Sequence, residues 1–97
     1  MIIGLTNNQE KIIHNILKPF FKENQFFYYG SRVTGNFKKS SDLDILIKGK
    51  RNIFNIIDEI SNKFDQSDLP FIVNICDNNK IDQKFYKIIK KDLIKIK

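Results

Sequence analysis

Residues 28–47 read YYGSRVTGNFKKSSDLDILI. An aromatic, strand-like run stops at Gly30-Ser31, and a second strand-like run resumes with two acids beside Ile45, Leu46 and Ile47. Asp is depleted in strands, so a pair of them at the head of an apolar strand needs a cause other than strand propensity. Residues two apart on a strand project from one face, which brings Asp42 and Asp44 together. Carboxylates that close repel each other unless a cation or strong donors lie between them. Magnesium fits the pattern, being a hard ion usually held by one or two carboxylates plus substrate phosphates. The phosphate end is provided for as well. Gly30 lets a backbone approach closely, and Ser31 offers a hydroxyl and a backbone N–H where a short helix can start. Arg32 would add a planar guanidinium able to grip phosphate oxygens in a bidentate way. Metal at one edge and anion donors at the other make a nucleoside triphosphate site.

Gly-Ser followed somewhere by Asp-x-Asp is common, and Asp42 can equally close a Ser-Ser-Asp turn. What distinguishes this instance is placement: Gly-Ser ends one apolar strand and Asp-x-Asp opens the next.

Working outward, Thr6-Asn7-Asn8-Gln9 has the form of a capping box, so a helix is predicted to begin near Asn7. Ile12, Ile13, Ile16, Leu17, Phe20 and Phe21 follow at helical spacing, and Pro19 is expected to bend or shorten the helix. His14 falls at the edge of that apolar arc, with no second His to form a metal pair. Phe26 to Tyr29 places aromatics on both faces of a strand, which predicts a central strand covered on each side. Asp42 to Ile47 is the second strand, and Lys48-Gly49-Lys50 is expected to turn the chain. Ile53, Ile56, Ile57, Ile60 and Phe64 mark a second amphipathic helix. After Asp68-Leu69-Pro70, Phe71 to Cys76 reads as a third strand. Residues 82–91 read as a last helix with Phe85, Ile88 and Ile89 on one side. Leu93 to Ile96 is either a short strand or packed coil. Helix, strand, strand, helix, strand, helix predicts an α/β (α+β) fold, a small mixed sheet with helices packed against it.

The totals agree with one domain over residues 1–97. Hydrophobic residues make up 41% of the chain, with nine Phe, enough for a core and against disorder. No apolar run approaches a membrane span, and MIIGLTNNQEK lacks the form of a secretory signal. A single cysteine, Cys76, cannot form an internal disulfide or a Cys-based metal site, and is read as a reduced thiol of a cytoplasmic protein. The net charge of +6 invites a nucleic-acid reading. Fifteen of the seventeen basic residues are Lys, however, and a chain rich in Ile and Asn with no Ala carries the mark of AT-rich coding. Lys80, Lys84, Lys87, Lys90, Lys91, Lys95 and Lys97 are accordingly read as a solvated face, and nucleic acid is not an expected partner.

Gly30-Ser31, ten intervening residues and Asp42-Leu43-Asp44 together resemble the signature of the DNA polymerase β nucleotidyltransferase superfamily. The GSRVTG form and short length are similar to its minimal nucleotidyltransferase branch. The resemblance implies that Asp42 and Asp44 hold Mg2+ and that Gly30 and Ser31 hold the triphosphate of ATP. It implies transfer of AMP to an acceptor hydroxyl with release of pyrophosphate. It also implies a partner protein, a HEPN-domain toxin whose tyrosine is adenylylated by this chain as the antitoxin of the pair. Two positions depart from the family. Thr34 stands where a second Arg is often found. Asn74, in Leu69-Pro70-Phe71-Ile72-Val73-Asn74, stands at the catalytic position where the branch usually carries a third carboxylate. Asn has no negative charge and is no general base near neutral pH. Asp77 is near in sequence but an odd number of positions away, so on a regular strand it faces the other way.

Two functions follow as expectations. One is a Mg-dependent adenylyltransferase acting on a partner protein, because a chain of this size leaves little to form an acceptor pocket. The other, motivated by Asn74, is a nucleotidyltransferase-fold binding module that neutralises its partner by complex formation. Homo- or hetero-oligomerisation is left open by the sequence.

Overall fold

The computed structural model describes residues 4–49 and 53–96. Helix α1 spans Asn7–Leu17 and opens on the expected capping box: the Gln9 N–H donates to Thr6 Oγ1 at 3.1 Å, and the Thr6 N–H donates to Gln9 Oε1 at 3.0 Å. Pro19 acts as expected. The α-helix stops at Leu17 and one 3₁₀ turn, Lys18–Phe20, carries the chain away. Asn24 fixes this exit by donating from Nδ2 to the Phe20 carbonyl at 3.1 Å.

Strand β1 (Asn24–Tyr29) runs into a one-turn helix, α2 (Ser31–Thr34), and the chain returns as β2 (Leu43–Gly49). Helix α3 (Phe54–Asp65) crosses to β3 (Val73–Asp77), and α4 (Gln83–Ile89) leads through a 3₁₀ turn to β4 (Ile94–Lys95). The sheet order is β3-β2-β1-β4, with β1–β2 and β1–β4 antiparallel and β2–β3 parallel. The mixed sheet with packed helices is as expected, and β1 is central. Lys48 and Gly49 extend β2 rather than turning the chain, while Lys50 lies outside the described residues. Phe71 and Ile72 precede β3 instead of opening it.

The sheet sorts its side chains by period two. Phe26, Tyr28, Leu43, Ile45, Ile47 and Val73 face α1 and α3, meeting Ile13, Leu17, Ile60 and Phe64 in the main core. Tyr29 and Leu46 face the other way and pack with Ile89 of α4. Strand β2 is buried on both sides: Leu43, Ile45, Leu46 and Ile47 have no exposed surface. Burying each such side chain contributes about 1.5–3 kcal/mol. Helix α4 does not bury the side expected of it. Ile89 is buried and Tyr86 partly so, whereas Phe85 and Ile88 are 40% and 67% exposed. One helix face of three residues was too short to fix which way it turns. No helix among the described residues is long and apolar enough to cross a membrane.

The capping box gives a direct test. Thr6→Ala should lower stability by about 1 kcal/mol, seen as a drop of about 5 °C in thermal melting.

Candidate active site

Pairing of β1 with β2 sets Tyr29 opposite Asp44, so the Gly30-Ser31 turn lies against the acidic end of β2. Gly30 has φ +86°, a backbone setting that L side chains rarely adopt. A Cβ built there would collide with the Asp44 carboxylate. The turn is glycine for two reasons, backbone and contact. Beyond it, the Val33 and Thr34 N–H groups both donate to the Gly30 carbonyl at 3.0 and 3.2 Å. The first N–H groups of such a turn have no intrahelical partner and remain available to an anion.

Parallel pairing of β2 with β3 sets Asn74 beside Asp44. The Asn74 amide Nδ2 donates to Asp42 Oδ2 at 3.1 Å and to Asp44 Oδ1 at 3.2 Å. Three side chains predicted from sequence therefore meet, with an amide standing where a cation would neutralise the two acids. Asp42 and Asn74 are exposed, while Asp44 is half-buried. Burial raises the Asp44 carboxyl above the ordinary value of 3.8, the Asn74 hydrogen bond opposes the rise, and the Asp42 charge adds to it.

A divalent cation fits this donor set. Asp42 and Asp44 supply the one or two carboxylates by which magnesium is usually held together with substrate phosphates, and the carbonyl oxygen of a rotated Asn74 amide would be a further hard oxygen donor. Which way an amide points follows from what it faces. Among the described residues no group of three or more His, Cys, Asp or Glu is placed to hold a metal. Asp77 does not supply a third carboxylate. It lies three residues along β3, about 10 Å further at strand rise, on the opposite face, and its Oδ1 accepts the Asn79 N–H at 2.9 Å in a turn.

Arg32 departs from the expectation. It is 1% exposed, and its guanidinium donates to the backbone carbonyls of Gly4, Lys39 and Ser41 rather than facing the turn. An arginine after Gly-Ser reads as a phosphate ligand in sequence because backbone carbonyls, its actual acceptors, leave no sequence signal. Tyr29 is a neighbour that the sequence did not single out. Burial above all, with the neighbouring Cys76 and Asp44, pushes its ionisation well above the usual tyrosine value. Burial likewise raises the Cys76 thiol, which fits an inert, protonated cysteine.

Comparison with known proteins gives the family and the fold. The family model for the nucleotidyltransferase domain matches residues 10–96. The chain belongs to the nucleotidyltransferase domain family. It is 31% identical over 90 residues to the probable protein adenylyltransferase MntA of Haemophilus influenzae, covering 92% of this chain and 79% of that protein. Its fold is similar to the crystal structure of a candidate nucleotidyltransferase from Sulfolobus solfataricus, with a TM-score of 0.52 at 19% identity, over 89% of this chain and 73% of the other.

Two outcomes are expected from the electrostatics and the turn. Because the folded Asp44 holds its proton more tightly than the unfolded chain does, its ionisation opposes folding. Its contribution to stability is present at low pH and is lost as pH rises through its raised value. Asp44→Asn should therefore raise the melting temperature of the metal-free protein at neutral pH and narrow that gap in mild acid. Gly30→Ala should cost about 1–3 kcal/mol, read as a lower midpoint in denaturant.

Proposed function

We propose that this chain is a Mg2+-dependent nucleotidyltransferase that moves AMP from ATP to a hydroxyl of a partner protein. The observation that carries the reading is the contact of Gly30 with Asp44, which joins the anion-binding turn to the paired acids in one site. Its family membership supports the transferase class. The protein adenylyltransferase name of the Haemophilus relative supports a protein acceptor.

In this reading the Gly30 backbone and the Ser31 N–H and hydroxyl hold the triphosphate. Asp42 and Asp44 hold the cation, with the Asn74 carbonyl beside them. The bound cation supplies charge neutralisation at the α-phosphate and the leaving pyrophosphate. An acceptor oxygen forms a bond to the α-phosphorus, the bond to the bridging oxygen of pyrophosphate breaks, and the hydroxyl proton leaves to solvent or to the paired carboxylates. Asn74 takes no proton. The acceptor comes from outside. Ile72, at 62% exposure, lies two residues before Asn74, just ahead of β3, and Phe85 stacks edge-on against Tyr29 with Ile88 exposed beside it, so apolar surface borders the site on two sides. We assign the acceptor to a tyrosine of a HEPN-domain toxin, with this chain as the antitoxin.

The test is intact mass of the partner after incubation with ATP and magnesium. A gain of one AMP is expected, and Asp42→Asn should slow it by about 100-fold or more, since several kcal/mol of charge stabilisation depend on the cation. A stable complex with no mass gain would instead favour the second reading, a binding module, for which Asn74 is the specific observation. In that case Asn74→Asp should bring transfer up by about 100-fold, the order a positioned base contributes. No gain with Asn74→Asp and no ATP binding would refute the transferase reading, and absence of a stable complex would refute the binding module.

A further inference from the structure

Arg32 ranks first among the largest fully buried side chains of the described residues, and none of its hydrogen bonds goes to a carboxylate. Burying a charge is costly unless it is well bonded, so its partners must be essential to something. Nε donates to the Ser41 carbonyl at 3.2 Å and Nη2 to the same oxygen at 3.0 Å. Nη2 also donates to the Lys39 carbonyl, and Nη1 to the Gly4 carbonyl, each at 3.0 Å. The guanidinium carbon lies 4.2 Å from the centre of the Phe71 ring and 5.2 Å from that of Phe37, both within cation–π reach.

Besides the N-terminal segment at Gly4, Arg32 joins three segments that deliver the site. Arg32 follows Ser31 in the anion-binding turn. Ser41 precedes Asp42. Phe71 leads into β3, where Asn74 sits three residues on, and the Leu43 N–H donates to the neighbouring Ile72 carbonyl at 2.8 Å. The loop between Asn36 and Ser41 has two further bonds, the Lys38 N–H to Ser41 Oγ at 2.7 Å and the Ser41 N–H to the Lys38 carbonyl at 3.0 Å. Both are internal to the loop. Among the described residues, every hydrogen bond that leaves this loop goes to Arg32.

We propose that Arg32 is a positioning residue: it holds the Lys39–Ser41 backbone so that Asp42 meets Asp44 across Asn74, and it does not contact the nucleotide. The proposal deepens the metal-site reading above and rests on it. A lysine would not substitute. Its ammonium is a single point of donors, whereas the planar fork reaches three carbonyls in fixed directions.

The experiment compares Arg32→Lys with Ile60→Val, a core change on α3 remote from the loop, both studied well below melting. Two quantities are read without nucleotide: Mn2+ affinity by electron paramagnetic resonance, and hydrogen exchange of the Leu43 amide, each relative to the loss of global stability. Arg32→Lys is expected to weaken Mn2+ binding about tenfold or more, the range for residues that orient metal ligands. It should also speed Leu43 exchange beyond what its lost stability explains, while Ile60→Val should do neither. Equal behaviour of the two variants would overturn the proposal. So would loss of tripolyphosphate binding with Mn2+ affinity intact, because that marks a direct phosphate ligand. Should Arg32→Lys fail to fold, Phe37→Leu removes one ring from the guanidinium and keeps its hydrogen bonds. A roughly threefold loss of Mn2+ affinity is then expected, and none would overturn the proposal. If the unsubstituted protein binds no Mn2+, the metal reading fails by itself, and Leu43 exchange still decides whether Arg32 holds the loop.

Discussion

The hydrogen-bonded register between β1 and β2 determines where the Gly30-Ser31 turn stands against the acids of the site. With Tyr29 opposite Asp44, the end of one strand delivers Gly30-Ser31 to the start of the next, where the acids are. A slip of one residue would turn every β2 side chain to the other face, carrying Asp44 into the core that Leu43 and Ile45 fill. Four fully buried apolar residues on β2 oppose any such slip. The carboxylate is thus held by the hydrophobic pattern around it rather than by an attractive partner of opposite charge. Its partial burial follows from that placement, and the raised Asp44 ionisation is the electrostatic consequence.

The fold was legible wherever a signal was local. Thr6 with Gln9, Pro19, Gly30 and the aromatic run in β1 each act on residues within a turn of themselves, and each element lies where its signal placed it. The meeting of Asp42, Asp44 and Asn74 was legible by a different route, because two carboxylates in one strand frame imply their own face and the motif supplied the third position. Long-range choices were not legible. Strand β4 is only two residues, and it exists because β1 offers a free edge. The outward turn of Phe85 and Ile88 depends on how α4 meets Leu46 and Tyr29, which no spacing within α4 encodes. Arg32 has acceptors 7, 9 and 28 residues away, all of them backbone carbonyls that look alike in any sequence. A residue prized as the rare arginine beside a phosphate motif is, in the fold, an internal brace.

The bracing and the acidic pair answer opposite demands. Arg32 is rigidly bonded on several sides and carries its charge in the interior without a carboxylate. Asp42 and Asp44 carry like charges at the surface end of a strand, where solvent and one amide moderate their repulsion. Placing the cationic fork against the acids would relieve the repulsion but would occupy the space that a metal and phosphate need. Keeping it behind the loop fixes the Asp42 backbone while leaving the front of the pair open.

Asn74 then sets how the site behaves before any ligand arrives. A third carboxylate in its place would add to the repulsion between Asp42 and Asp44, making the empty site costly. The amide instead donates to both acids, so the empty site is already internally bonded. In the proposed reading, a cation entering would have to displace those two hydrogen bonds and turn the amide to present its oxygen. That exchange weakens binding of the metal alone and shifts the balance toward its arrival together with phosphate oxygens, which complete the shell and repay the lost bonds. In the proposed reading the two acids are already joined through the amide when the site is empty, and nucleotide would strengthen metal binding without being required for it.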